Sequence, residues 1–229
     1  MPKPSLRFFP KGATTVNISR RSLIAGAVGA AAFCALGSTR AFGKSALVRP
    51  PGGQDESLLW AGCIRCGQCV EACPHHVIKF APVEEGFINM RTPVLSFEAA
   101  YCDWCVDQGA PQCVAVCPTK ALQLPPDASF ETVVMGVAKI DTQSCLSYRD
   151  NGCRLCADAC PLHAILVSKD NRVSVREDLC NGCGACEASC PSLQYGSVGD
   201  RGVNERAIVV RAREEGGEGH GFDRGEEWA

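Results

Sequence analysis

The sequence predicts an α+β fold: tandem small modules of short strands and single helical turns, arranged around bound inorganic groups. Three observations point there. Sixteen of the 17 Cys fall into four groups of four, an internal repeat whose starts recur at roughly 35–43 residue intervals. Aromatics supply only 7% of the 229 residues, so cysteine chemistry must help hold the fold. Between the groups lie short apolar runs bounded by turn residues, the patterning of strands and turns.

The N-terminal stretch is set aside first. Residues 1–18 carry only basic charges, and SRRSLIAG then places Arg20 beside Arg21 ahead of the apolar, small-residue run AVGAAAFCALG. That is a positive n-region and a modest h-region. Ala41-Phe42-Gly43 offers a cleavage point after Gly43. The run Leu23–Leu36 is too short to span a bilayer, which needs about 20 apolar residues. Paired arginines address the route that exports folded proteins. A cofactor can then be inserted in the reducing cytoplasm before export, which reconciles an export signal with thiols that are not spaced for disulfides. Cys34 falls inside this signal and reads as filler.

Six of the 23 basic residues and none of the 25 acidic ones lie in 1–43, so the remainder carries a formal charge of −8. That balance excludes the basic footprint of nucleic-acid binding.

The expected organisation is a 1–43 twin-arginine signal, a 44–211 cysteine domain in two halves, and a Gly- and Glu-rich acidic tail, 212–229. Group one is Cys63, Cys66, Cys69 and Cys73; group two is Cys102, Cys105, Cys113 and Cys117. Group three is Cys145, Cys153, Cys156 and Cys160; group four is Cys180, Cys183, Cys186 and Cys190. Each ends C-x3-C-P. QCVEAC, CADAC and ACEASC suggest single helical turns in groups one, three and four. VIKF, VAKID and AIVVR read as strands, and AILV and RVSV flank the polar turn SKDN as a hairpin.

Groups one and four are C-x2-C-x2-C-x3-C-P, the bacterial ferredoxin run for [4Fe–4S] clusters. Three thiolates two residues apart wrap one face of an iron–sulfur cube, and loop N–H groups stabilise the sulfides. Gly67, Gly182 and Gly184 suit so tight a loop. The fourth Cys faces away and ligates a second cluster, and the following Pro sets the turn. Groups two and three carry seven-residue insertions, VDQGAPQ and LSYRDNG, but keep four thiols each.

Four [4Fe–4S] clusters on the sixteen Cys are therefore expected, in bacterial-ferredoxin-like modules. The regular groups lie outside and the stretched ones inside, which favours nested pairing of one with four and two with three. Its ligand sets are Cys63, Cys66, Cys69 with Cys190; Cys180, Cys183, Cys186 with Cys73; Cys102, Cys105, Cys113 with Cys160; and Cys145, Cys153, Cys156 with Cys117. Adjacent pairing is the rival. His75, His76 and His163 follow Cys-Pro turns and read as turn residues, and His220 lies in the tail. Structural zinc sites space their Cys pairs differently. No phosphate loop, nucleophile elbow or dinucleotide fingerprint is present. The expected chemistry is one-electron relay rather than catalysis on a substrate.

The leader around Arg20 and Arg21, the segment LVRPPG, the run CIRCGQCVEACP and the group at 145–161 together resemble the ferredoxin-type NapG and MauM family. Its members serve periplasmic nitrate reductase systems and methylamine utilisation. The resemblance covers about 16–211 and carries the sixteen Cys over as ligands. It implies a periplasmic electron-transfer protein with four [4Fe–4S] clusters. It also implies a polytopic membrane ferredoxin-type partner that oxidises quinol, with onward transfer to a periplasmic c-type cytochrome or reductase. Membrane association would come through that partner. Rival readings are an iron–sulfur subunit of a molybdenum oxidoreductase and a non-redox maturation factor.

Overall fold

The computed structural model describes residues 47–149, 152–192 and 206–213. The expected leader, with Arg20 and Arg21, and the tail beyond Arg213 lie outside the described residues, which all belong to one unit, Gly43–Ala229.

Helix α1 (Glu56–Gly62) begins where the Asp55 carboxylate accepts hydrogen bonds from the backbone N–H groups of Ser57 and Leu58. It buries Leu59 and delivers the chain to Cys63, whose N–H donates to the Leu59 carbonyl. Four single-turn helices follow, one inside each cysteine group: α2 (Gln68–Glu71), α3 (Gln112–Ala115), α4 (Leu155–Asp158) and α5 (Ala185–Ala188). The turns of groups one, three and four were expected. Those of group two and α1 were not, because neither carries the short C-x2-C-x3-C signature.

The strands form three two-stranded antiparallel sheets: β1 (Ile78–Phe80) with β2 (Pro93–Leu95), β3 (Val137–Ile140) with β6 (Ile208–Arg211), and β4 (Ile165–Val167) with β5 (Val173–Val175). The β4–β5 pair is the expected hairpin, and its turn places Asn171 at a positive φ that Asn tolerates. VIKF and VAKI are strands as expected, and AIVVR closes on VAKI across a long separation in sequence. β2 carries no strand signature in its sequence because Pro93 opens it, a position Pro occupies only at a strand start or edge.

Groups one to two and three to four form two halves of similar plan. In each, the helical turns of its two groups pack together, α2 on α3 and α4 on α5. The buried core mixes Val77, Ile78, Phe97, Ile165, Val173 and Ile208 with cysteines, so the apolar interior wraps sulfur.

Candidate metal centres: four cysteine-lined cavities

Gly67, Gly182 and Gly184 take φ of +81°, +76° and +84°, the left-handed values the tight cysteine loops require. A second local device closes three of the groups. After Cys-Pro, the N–H of His76, Lys120 or His163 returns to the carbonyl of Cys73, Cys117 or Cys160. Each of those three residues sits at positive φ, so His76 and His163 are turn residues.

The sixteen thiols then converge on four cavities. One of about 400 Å3 is lined by Cys63, Cys66, Cys69 and Cys117. One of about 330 Å3 is lined by Cys73, Cys102, Cys105 and Cys113. In the second half, Cys145, Cys153, Cys156 and Cys190 line about 340 Å3. Cys160, Cys180, Cys183 and Cys186 line about 330 Å3.

Each cavity takes three Cys from one group and the fourth from its partner, as expected, but the partners differ from the expectation. Nested pairing is corrected to adjacent pairing: one with two, three with four. The reason is packing. The α2–α3 and α4–α5 contacts bring neighbouring groups face to face, so Cys117 reaches group one, where Cys190 was expected. Cys190 instead closes the group-three cavity.

These residues fit iron–sulfur cubes. All sixteen described cysteines are free thiols. Among the described residues no three His, Cys, Asp or Glu side chains gather closely enough for a lone metal ion. The sulfurs of each set stand around a space instead, as they do when a cube lies between them.

Burial, with the charge of neighbouring Cys63 and Cys66, pushes the Cys69 thiol up to about 11. Burial likewise pushes Cys102 up to about 12, Cys183 to about 11 and Cys156 to about 12, and raises Cys113 and Cys186 further. Thiols held so high become ligands only when a cationic group repays the burial of their charge. Backbone N–H groups already favour some thiolates. At Cys117, burial is outweighed by the N–H of Leu122, the Thr119 hydroxyl and the N–H groups of Ala121 and Thr119, which lower its pKa. The Ala164 N–H points at Cys160 Sγ at 3.3 Å, and that of Ala138 at Cys180 Sγ at 3.5 Å.

Cys spacing could not reveal those backbone donors, or the residues around the group-two loop. Beside the second cavity, His75 Nε2 meets Asp103 Oδ2 at 2.8 Å, and Asp103 Oδ1 accepts from the Cys105 N–H. Arg20 and Arg21 cannot be placed, lying outside the described residues.

The 4Fe-4S dicluster domain family matches this chain over residues 62–121 and 151–193. The first match encloses groups one and two whole, the same partition the cavities make. The ferredoxin-type MauM protein of methylamine utilisation from Methylobacillus flagellatus is 32% identical over 210 residues, covering 87% of this chain and 82% of that protein.

The chain belongs to the NapG/MauM family of ferredoxin-type proteins.

NapG of Escherichia coli K12 is 33% identical over 156 residues, 62% of this chain, and the match spans 65% of NapG. NapF of the same organism is 30% identical over 148 residues, 63% of this chain and 80% of that protein. Family membership and the dicluster match make the chain an α+β, ferredoxin-like iron–sulfur protein of the 4Fe–4S type.

Proposed function

We propose that this NapG/MauM protein is a four-cluster relay, each cavity holding one [4Fe–4S] cluster on its four Cys. The observation that carries this is the repetition: four spaces of similar size, each lined by four thiols and built two to a half. When bound, the clusters supply reversible one-electron chemistry. The chain's own part is to hold them, bury them and aim N–H groups at their sulfurs.

In this reading the protein is exported folded through Arg20 and Arg21 and works in the periplasm. Among the described residues no helix is long and apolar enough to cross a membrane. A polytopic, quinol-oxidising ferredoxin-type partner then holds it at the membrane, and a periplasmic c-type cytochrome or reductase takes the electrons, as in a nitrate reductase system. A second reading places the same relay in methylamine utilisation. It is favoured by the longer match to MauM, 87% of this chain against 62% for NapG.

Anaerobically purified protein should contain about sixteen Fe and about sixteen sulfides per chain. A value near eight Fe would mean that the groups with insertions do not ligate, and would sink the four-cluster reading. Membranes bearing the partner should reduce the loaded protein with quinol, and membranes lacking it should not.

A further inference from the structure

The two halves meet where one cysteine touches another. The backbone N–H of Cys102, in the second cavity, donates to the carbonyl of Cys183, in the cavity of groups three and four, at 2.9 Å. Among the described residues no other hydrogen bond joins a cysteine of one half to a cysteine of the other. Sulfur to sulfur, the path is short: each side chain, its own peptide group, and one N–H···O=C contact.

The junction is clamped. Arg206 Nη1 donates to the Phe97 carbonyl at 3.1 Å and to the Glu187 carbonyl at 2.5 Å, and Nη2 donates to the Glu98 carbonyl at 2.6 Å. One guanidinium thus holds the segment leading to Cys102 against α5, just beyond Cys183. Phe97 lies so close over Gly184 that no Cβ fits there.

We infer that the Cys102–Cys183 contact is the junction through which the halves exchange electrons, ordering the four cavities in one series. The series runs from the Cys63/Cys117 cavity to the Cys73/Cys113 cavity, across the junction to the Cys160/Cys186 cavity, and ends at the Cys145/Cys190 cavity. This rests on the four-cluster reading. Burial follows the same order. At the junction, Cys73, Cys102 and Cys113 on one side and Cys183 and Cys186 on the other are buried, whereas the first cavity has no buried Cys and the last has only Cys156. Cys66 is exposed, so an outside partner reaches the first cavity directly, and three of the four Cys of the last cavity are half-buried where the junction cavities keep five of eight buried. Each transfer moves one electron: one cluster is oxidised by one, its neighbour is reduced by one, and no bond or proton changes place. A one-electron donor docks at one end of the series and a one-electron acceptor at the other.

Two double variants test the order by electron paramagnetic resonance after dithionite reduction. Cys66→Ala/Cys153→Ala removes the end clusters, and Cys105→Ala/Cys180→Ala removes the middle ones. Each should retain about eight of about sixteen Fe. The first should keep the broadened spectrum of two interacting centres, and the second should show two isolated signals. Isolated signals in the first, or interacting ones in the second, would overturn the order. Should either variant fail to fold, the unmodified protein carries the test. A dissolved dysprosium chelate should speed the relaxation of two of its four signals strongly and of two weakly, and four equal responses would overturn the order. An unmodified protein with near eight Fe would instead refute the four-cluster reading beneath it.

Discussion

The Arg49 guanidinium grips both oxygens of the Glu56 carboxylate, with Nε at 2.7 Å and Nη2 at 2.8 Å. Its other N–H contacts reach Thr92 Oγ1, the Pro93 carbonyl and Asn89 Oδ1, so one buried cation ties the 47–52 segment to α1 and to the entry of β2. Arg49 is 2% exposed, and a charge so buried stays only while its partners do. Arg49→Met leaves Glu56 and Asn89 without it and should cost about 3 kcal/mol or more. Glu56→Gln should also destabilise, because it leaves the buried Arg49 cation without its counter-charge, although a Gln oxygen keeps one acceptor in place. Since α1 positions Leu59 and Cys63 on the first cavity, thermal melts followed at the cluster absorbance should show a lower Tm, with iron lost from that cavity first. An unchanged Tm for Arg49→Met would contradict this account.

Cavity pairing makes a prediction about iron. Cys66→Ala with Cys117→Ala strikes one cavity twice and should remove about four Fe. Cys66→Ala with Cys73→Ala strikes two cavities and should remove about eight. Under nested pairing both doubles would lose about eight, so iron analysis of the first separates the schemes.

Two glycines at positive φ should respond differently to Ala. Gly109, at +75°, has open space around it, and Gly109→Ala should cost about 1 kcal/mol for the left-handed backbone alone. A Cβ on Gly184 would also overlap the Phe97 ring at the contact between halves. Gly184→Ala should therefore lower Tm much further and reduce iron content, whereas Gly109→Ala keeps its iron. Equal shifts in Tm would refute the packing argument.

Cluster uptake should release protons. Burial first, then neighbouring thiols, raises Cys69 from 9.0 to about 11, and Cys156 rises chiefly by burial to about 12. The cluster-free folded chain therefore holds these groups as thiols. Their contribution to its stability is full below the unfolded value and is lost as pH rises through 11 to 12. Ligation needs the thiolate, so reconstitution with iron and sulfide should run faster at pH 8.5 than at pH 7. A pH-stat trace should record acid release. A flat trace with full iron uptake would show that the thiols were already ionised.

Export can be tested apart from the fold. Arg20→Lys with Arg21→Lys should strand the loaded protein in the cytoplasm, measured by fractionation and immunoblot. Appearance of the variant in the periplasm would defeat the twin-arginine reading.

The cysteine loops were legible in the sequence because they are local. Three thiols two residues apart, a glycine at positive φ and a Cys-Pro turn are satisfied within a dozen residues, and the AILV–RVSV hairpin is equally short-range. Pairing was not legible. A fourth cysteine that must turn away from its own loop carries no mark of the loop it will meet. That choice fell to the packing of α2 on α3 and of α4 on α5. Nor could spacing foretell that Arg49 would be buried among Glu56, Asn89 and Thr92, or that Arg206 would reach back across more than a hundred residues to the carbonyls before Cys102. Such contacts form only when distant segments share one interior, and their energy depends on burial that no local pattern records.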